Sequence, residues 1–357
     1  MRLLGIPTVV DRLVQQAINQ VLTPIYENQF SKTSYGLRPR RGCHEALRGA
    51  QKIINEGYIY VVDLDLERFF DTVIHSKLIE ILSRTIKDGR VVSLIHKYLR
   101  SGVMNKCLFE ASEEGTPQGG PLSPLLSNIM LNELDKELER RGLPFVRYAD
   151  DSMIFCKSKR AAMRVKESVT RFIENVLYLK VNNEKTIVSY VRGVKYLGYS
   201  FYVMKGKCQF MVHPKSKSKM KSKLKELTSR SNGWGYAKRK QKLKEYIRGW
   251  VGYYHLATMK RFLLDTDEWL RRRIRMCIWK AWKKVGTKVA NLIRCGIDKY
   301  KAYEWGNTRK GYWRVADSPI LTRAIDNNRL RSAGYATLMG SYLCDCCQQD
   351  CSIWNIR

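Results

Sequence analysis

The sequence predicts an α+β protein, in which a split β-α-β sheet carries helices on one face and a basic helical region follows. Two observations predict the sheet: a β-prone run over 58–66, and two apolar runs that flank a turn over 145–156. A third observation predicts the helical region. After residue 210, apolar residues recur at helical spacing among many lysines and arginines.

Composition identifies the class of partner. The 357 residues include 65 Lys and Arg against 33 Asp and Glu, a formal net charge of +32 that favours a polyanion, above all nucleic acid. With 44% hydrophobic residues the chain is expected to fold rather than to form a basic tail. We find no apolar run near the roughly 20 residues that span a membrane, and expect no signal peptide. Cysteines scattered singly indicate reduced thiols, so we expect a cytoplasmic protein, nucleoid association included.

The first 57 residues predict two helices, over 11–22 and 45–54, around an arginine-rich loop. Leu13 and Val21 lie on the predicted apolar face of the first helix. The loop contains Arg38 and Arg40, whose forked donors suit phosphate oxygens. It is therefore either a phosphate-binding loop or an ordinary surface turn.

The β-prone run over 58–66 contains two carboxylates, Asp63 and Asp65. A period of two places both on one face of a strand. Because a buried carboxylate is costly without a partner, the pair either binds a metal or lies at a solvated edge.

A glycine-paired loop over 115–124 precedes a predicted helix that Gly142 ends. Ser123 is predicted to cap that helix, with Pro124 at its first position. The Gly-Gly step at Gly119 would let backbone approach a flat ligand closely.

Adjacent carboxylates, Asp150 and Asp151, lie at the tip of the predicted hairpin. Two like charges side by side repel one another, and oxygen ligands presented in this way suit Mg²⁺. The alternative is a solvated turn, since Asp favours turns for its own hydrogen bonds. Next we expect a helix capped by Ser158, and strands over 181–188 and 193–202.

From residue 215 to 225 lysine occupies every second position, which predicts either a solvated linker or a segment that follows a phosphate backbone. From 236 to 282 aromatic residues alternate with Lys and Arg, so that outward-facing ones would suit nucleic acid. The crowded cysteines over 344–357 match no zinc spacing, and we expect a frayed tail there.

Several ordered motifs together resemble a bacterial group II intron reverse transcriptase/maturase, of group IIC type. They are the motifs over 4–12, 34–36, 69–71, 115–120, 122–128, 148–151 and 196–199, and the later segment 247–254. The resemblance implies a right-hand polymerase fold with five regions. These are incomplete fingers over 1–57, palm with fingers elements over 58–210, an α-helical thumb (maturase domain X) over 211–300, a C-terminal DNA-binding-like region over 301–343 and a cysteine-rich tail over 344–357. It also implies that the chain lacks the family's N-terminal extension and endonuclease domain.

The resemblance further implies roles for individual residues. Two Mg²⁺ ions, for which Mn²⁺ would substitute, would be held by Asp65, Asp150 and Asp151. Asp63 is the rival of Asp65, which is preferred because the family's aromatic gate lies five residues further on, at Phe70. Lys185 would act as acid toward pyrophosphate. The nucleotide-binding residues would be Arg2, Phe70 as the gate that selects dNTPs, Gln118 and Gly119. The residues that contact primer, template or intron RNA would be Arg38, Arg40, Leu197 and Gly198 as the primer grip, Lys215, Lys217, Lys219, Lys221, Trp250 and Tyr253.

The function that the resemblance implies is RNA-directed DNA synthesis from a primer, together with binding of group II intron RNA to assist splicing and retrohoming. Its partners would be intron RNA, an RNA template with a DNA primer, target DNA and dNTPs; the oligomeric state stays open. Two alternatives remain: a maturase that only binds RNA, or another bacterial reverse transcriptase. The intact carboxylates favour the polymerase.

Overall fold

A computed structural model describes residues 5–105, 108–110, 114–116 and 119–349. The chain divides into two compact units, unit 1 (Met1–Gln209) and unit 2 (Phe210–Arg357).

The centre of unit 1 is an antiparallel sheet of four strands. They are β1 (Tyr60–Leu64), β4 (Phe145–Tyr148), β5 (Asp151–Cys156) and β6 (Ile187–Tyr190). Their spatial order is β4-β5-β1-β6, so that β1 lies between the hairpin and β6. The prediction of an α+β fold around a split sheet is confirmed.

The seven helices found in the described part of unit 1 cover and flank this sheet. They are α1 (Val9–Glu27), α2 (Cys43–Asn55), α3 (Phe69–Thr72), α4 (His75–Thr85), α5 (Gly89–Arg100), α6 (Ser123–Arg140) and α7 (Lys159–Asn175). A single apolar core joins β1 and the hairpin to α4, α6 and α7. The four other strands are β2 (Val103–Asn105), β3 (Leu108–Glu110), β7 (Tyr199–Met204) and β8 (Lys207–Val212). They form two hairpins, β2–β3 and β7–β8.

Local predictions in unit 1 were confirmed in part. Ser158 accepts a hydrogen bond from the amide of Ala161 and caps α7 as predicted. Ser123 is instead the first residue of α6, whose cap Leu122 makes no side-chain bond. Leu13 and Val21 are exposed, because α1 buries only its other side through Leu22 and Tyr26.

The predicted strands after α7 were too long. In the first, 181–188, Val181 forms an isolated bridge to Leu66 and a turn follows. The strand, β6, begins only at Ile187. In the second, 193–202, a tight turn comes first and β7 begins at Tyr199. Asparagine and glycine in these stretches favour turns over strand.

Unit 2 is helical in its described part, apart from the end of β8. Its helices are α8 (Pro214–Leu227), α9 (Tyr236–Tyr254), α10 (Lys260–Ala281), α11 (Val285–Arg294), α12 (Lys299–Gly306), α13 (Tyr312–Val315), α14 (Pro319–Ala324), α15 (Asn327–Ser332) and α16 (Leu338–Gln349). The linker interpretation of the lysine-rich segment was therefore wrong, because that segment is α8. The prediction of a frayed tail was also wrong as far as Gln349, since α16 continues through Cys344. No helix in the described part of the chain is long and apolar enough to cross a membrane.

Candidate active site and nucleic-acid interface

The acidic residues predicted from the sequence lie on neighbouring strands. Strand β1 pairs with β5 so that Asp63 lies opposite Met153 and Leu64 opposite Ser152. Continued by one residue, this register places Asp65 opposite Asp151. Directly opposed residues of an antiparallel pair point to the same face, so Asp63, Asp65 and Asp151 share one face of the sheet.

The pKa of Asp63 is shifted by burial and by this group of neighbouring carboxylates. Burial, together with the nearby charges of Asp151 and Asp65, raises the pKa of Asp63 to about 7. Asp63 therefore carries a proton for part of the time near neutral pH, at a site where like charges concentrate.

Asp65 differs from Asp63 in position and in partners. It follows the last residue of β1, and its side chain keeps 34% of its exposure. Its backbone is fixed by the turn after Val181: its amide donates to Thr186 Oγ1 at 3.2 Å, and its carbonyl accepts from Asn182 at 2.9 Å. The same turn presents Lys185, whose Nζ lies 3.4 Å from Asp65 Oδ2. Asp65 is the better placed of the two carboxylates to meet a ligand from solvent.

A network that sequence reasoning missed holds the turn between β4 and β5. Arg147 is fully buried and binds the buried Asp135 of α6 at 2.6 Å. The same guanidinium donates to Asn128 Oδ1 at 2.9 Å and to the carbonyl of Ala149 at 3.0 Å. The signal was available in the sequence, since an arginine inside an apolar strand needs a buried partner.

Gly36 lies against the same turn from the other side. A Cβ on Gly36 would overlap the backbone nitrogen of Ala149 and the carbonyl carbon of Tyr148. The amide of Tyr35 donates to the Arg147 carbonyl at 2.8 Å, and Asn128 Nδ2 donates to the Gly36 carbonyl at 3.0 Å. The loop before α2 is thus a support of the acidic turn.

Phe70 and Phe69 have different surroundings. Phe69 is buried in the core with 3% exposure, whereas Phe70 is half-buried and lies beside it with ring centroids 5.3 Å apart. The Phe70 carbonyl accepts from the amide of Thr116 at 2.6 Å, which joins the start of the glycine-paired loop to α3. Phe70, rather than Phe69, can therefore contact a ligand.

The glycine-paired loop lies partly outside the described residues. Gln118 lies outside the described residues, and so does Arg2. Gly119 has a φ of +114°, and a Cβ there would overlap the carbonyl oxygen of Gly5. A close approach within the protein therefore already requires this glycine, and the predicted approach to a flat ligand stays a prediction.

The predicted primer grip is a tight turn. Leu197 and Gly198 both have positive φ, +48° and +84°, and the flanking Tyr196 and Tyr199 exchange backbone hydrogen bonds of 3.0 and 2.8 Å. A non-glycine residue in this conformation is uncommon. The turn presents two half-buried residues at its tip.

The two loop arginines have separate roles. Arg38 is buried, with an ion pair to Glu27 at 2.6 Å and a hydrogen bond to the Ser34 carbonyl at 2.8 Å. Its guanidinium is used within the protein, so the expectation that it binds phosphate is not supported. Arg40 is exposed, with a φ of +57°.

The lysines of α8 form two stripes and not one. Residues four apart share a helix face, and the buried Met220 and Leu224 lie between the two lysine faces. We call them stripe A and stripe B. Stripe A is Lys215, Lys219 and Lys223; stripe B is Lys217, Lys221 and Lys225.

Stripe B continues into a cluster of aromatic side chains. Lys217 Nζ lies 4.9 Å from the ring centroid of Phe262 and Lys221 Nζ lies 5.8 Å from it. Trp250 lies 6.4 Å from the same ring and 4.5 Å from that of Tyr254, which in turn contacts Tyr253. Trp250 and Tyr253 are half-buried, so each keeps a surface for stacking. In stripe A, Lys223 pairs with Glu226 at 2.7 Å.

The donor set suits a hard divalent cation, because its ligands are carboxylate oxygens on one sheet face. Within the ranges that the structure describes, no three His, Cys, Asp or Glu side chains are close enough together to hold a metal ion. Asp150 is in the turn, Asp151 begins β5 and Asp65 follows the last residue of the neighbouring β1, so a cation would bind residues that are already neighbours.

An antiparallel sheet with carboxylates at its hairpin and central strand, followed by a basic helical unit, is the arrangement expected of the nucleic acid polymerase class. The chain belongs to the reverse transcriptase (RNA-dependent DNA polymerase) family, which matches residues 1–201. The maturase-specific domain of group II introns matches residues 217–296. Reverse transcriptases generally use divalent metal ions.

Three curated relatives are similar to parts of this chain. The protein YkfC of Escherichia coli is 34% identical, over 56% of this chain and 62% of its own length. The group II intron-encoded protein LtrA of Lactococcus lactis is 32% identical, over 57% of this chain and 45% of its own length. An uncharacterized 91 kDa protein in the cob intron of Schizosaccharomyces pombe is 41% identical, over 36% of this chain and 16% of its own length. The chain thus spans less than two thirds of each of these relatives.

Proposed function

We propose that this protein is an RNA-directed DNA polymerase of a group II intron, which extends a DNA primer on an RNA template and binds its intron RNA as a maturase. The observation that carries the proposal is the register of β1 with β5, which, continued by one residue, sets Asp65 opposite Asp151 on one sheet face, next to the solvent-accessible turn that contains Asp150.

Asp65, Asp150 and Asp151 are the residues that would hold the cations, two Mg²⁺ or Mn²⁺. When bound, such ions supply activation of the primer 3′-hydroxyl and stabilisation of the charge on the leaving pyrophosphate. Asp63 lies two residues deeper on the same face, behind them.

The surrounding residues orient the reactants. Phe70 would contact the sugar of the incoming nucleotide and exclude a 2′-hydroxyl. Lys185, exposed and 3.4 Å from Asp65, is within reach of a triphosphate at the carboxylates and would donate a proton to pyrophosphate. The turn at Leu197 and Gly198 would hold the primer end. Arg2, Gln118 and Gly119 complete the proposed nucleotide site on the resemblance alone.

Unit 2 supplies the RNA-binding part of the proposal. Its maturase match, the lysine stripes of α8 and the half-buried Trp250 and Tyr253 support contacts to phosphates and to bases. We propose intron RNA, the template–primer duplex and target DNA as its partners, in the bacterial cytoplasm, with splicing and retrohoming as the outcome.

The deciding experiment separates catalysis from binding. Asp150→Asn combined with Asp151→Asn keeps side-chain shape but removes both charges, so primer extension on an RNA template should become undetectable. Binding of intron RNA should stay within about twofold of wild type, because lysines and not these carboxylates meet phosphate. Filter binding beside the extension assay measures both quantities.

A protein that only binds RNA is the alternative from a different class, and the maturase-specific domain favours it. It predicts that the wild-type chain binds intron RNA and promotes its splicing without extending any primer. Appreciable extension by the double variant would contradict our assignment of the carboxylates.

A further inference from the structure

The polar network around Arg147 is more elaborate than the stability of a core requires. Arg147 and Asp135 both have 0% side-chain exposure, and two guanidinium nitrogens meet the two carboxylate oxygens at 2.8 and 2.6 Å. A buried ion pair of this kind gains little over apolar residues of the same volume, because both charges lose their water. Its use must lie elsewhere than in net stability.

The third guanidinium nitrogen shows where that use lies. Nη1 of Arg147 donates to the Ala149 carbonyl at 3.0 Å and to Asn128 Oδ1 at 2.9 Å. Ala149 has a φ of +56°, a left-handed conformation that a non-glycine residue rarely adopts. The hydrogen bond therefore holds a strained residue directly before Asp150, and the direction of the next two side chains follows from it.

Asn128 connects this bond to the opposite side of the turn. Its Nδ2 donates to the carbonyl of Gly36 at 3.0 Å, and Gly36 lies against the backbone of Tyr148 and Ala149. The turn is thus held by a guanidinium on one side and by a glycine backbone on the other, with Asn128 bonded to both. No group in this network reaches the sheet face that carries Asp65.

We propose that Arg147, Asp135 and Asn128 are positioning residues that set the geometry of the Asp150–Asp151 turn for the polymerase reaction. They act through Ala149 and Gly36 and touch no substrate. The effect on catalysis rests on the proposed function, whereas the effect on the turn does not.

The test replaces the ion pair by apolar residues of similar volume, Arg147→Met with Asp135→Leu, in the full chain. We expect the melting temperature to stay near wild type, because no charge is left buried alone. Hydrogen exchange of the turn amides, followed on peptides that cover 145–156, should become about tenfold faster or more. The kcat for primer extension should fall about tenfold or more, while the KM for dNTP and the Kd for primer–template stay within about twofold.

A matched control is available at the far end of the same helix. Arg141 pairs with Glu137 of α6 at 2.6 Å, and its guanidinium also contacts Ser168 and Phe172 of α7. Arg141→Met with Glu137→Leu applies the same chemical change, and should leave both the turn exchange and kcat unchanged. Equal losses in both pairs would overturn the proposal.

A second variant covers the case in which the ion-pair variant does not fold. Asn128→Leu removes the bond to Arg147 on one side of the turn and the bond to Gly36 on the other, and leaves the Arg147–Asp135 ion pair intact. Hydrogen exchange of the turn should again become faster and kcat should again fall, each by a smaller factor than in the ion-pair variant. Wild-type exchange at the turn in either folded variant would overturn the proposal. So would unfolding of both variants, since the network would then serve folding itself. If the wild-type chain extends no primer, the proposed function fails, and the exchange comparison still decides the role of the network.

Discussion

The two units handle charge in opposite ways. In unit 1 the decisive charged groups are few, buried or half-buried, and fixed by several bonds each, as Arg147 and Asp65 are. In unit 2 they are many, mostly exposed and loosely held, as the lysines of α8 are. The difference teaches that catalysis depends on where a charge lies to within a fraction of an ångström, whereas binding to a phosphate backbone depends on how many charges are near it.

If unit 1 depends on fixed geometry, the largest effect should come from a small change of shape. Gly36→Ala places a Cβ against the backbone of Ala149 and Tyr148, which cannot move aside as a side chain can. We expect a loss of about 3 kcal/mol in the free energy of unfolding, at the upper end for overpacking, and loss of primer extension. Chemical denaturation measures the first quantity. Gly193→Ala is the control, because nothing lies within 4 Å of its Cβ; equal losses would remove the special role of Gly36.

If unit 2 depends on the number of charges, its lysines should act additively and without regard to sequence. Replacing all six lysines of α8 by Gln should flatten the log–log salt dependence of RNA affinity by roughly two to three units. The loss should be nearly equal for intron RNA and for an unrelated structured RNA, because phosphate contacts read no bases.

The two stripes allow this prediction to be sharpened. Stripe B adjoins Phe262 and the Trp250 cluster, whereas stripe A has Lys223 paired with Glu226. Gln at Lys217, Lys221 and Lys225 should therefore change the slope more than Gln at Lys215, Lys219 and Lys223. If the salt dependence of RNA affinity is unchanged in the six-fold variant, the lysines of α8 do not bind RNA and α8 is only a solvated helix.

A smaller effect is expected at Phe70, where shape decides specificity rather than rate. Phe70→Ala removes a half-buried ring beside Phe69, so the preference for dNTPs over ribonucleotides should fall about tenfold. Single-nucleotide incorporation with each substrate gives the ratio. If the ratio is unchanged, Phe70 is not the gate, and Asp65 loses the spacing argument that selected it over Asp63.

The smallest effect concerns pH and the attachment of the glycine-paired loop to α4. Burial lowers the pKa of His75, and His96 and Arg100 add to the shift, whereas the hydrogen bond to the Gly115 carbonyl and the charge of Glu114 oppose it. His75 Nε2 lies 2.6 Å from the Gly115 carbonyl, which suits a neutral ring that donates this bond. Since the folded pKa lies below the unfolded value of about 6.5, the unfolded state takes up the proton first, and stability should decline as the pH falls below that value.

His75→Gln keeps a donor for the Gly115 carbonyl but cannot titrate, so it should flatten this part of the stability profile. Denaturation across pH 5 to 8 compares the two proteins. A slope that persists unchanged in the variant would assign the effect to other groups.

The sequence by itself was enough to predict the fold class, which is confirmed, and to propose the acidic residues of the site. Alternating apolar residues over 58–66 and on both sides of Asp150 and Asp151 predict strands, because successive side chains of a strand point to opposite faces. This pattern can be recognised from neighbouring residues alone. Likewise, the excess of lysine and arginine predicts an anionic partner without any structure. Asp65 was preferred to Asp63 by its spacing to Phe70 alone.

Only the tertiary structure decided which charges are used inside the protein and which face outward. Arg38 and Arg40 stand two residues apart in one basic loop, yet Arg38 is buried against Glu27 and Arg40 is exposed. In the same way, lysine at every second position was compatible with a linker until α8 placed Met220 and Leu224 in a core. Leu13 and Val21 form an apolar face that the described residues leave exposed. The physical reason is common to these cases: a local pattern fixes the direction of side chains relative to one another, but burial depends on partners distant in the sequence, such as Asp135 for Arg147.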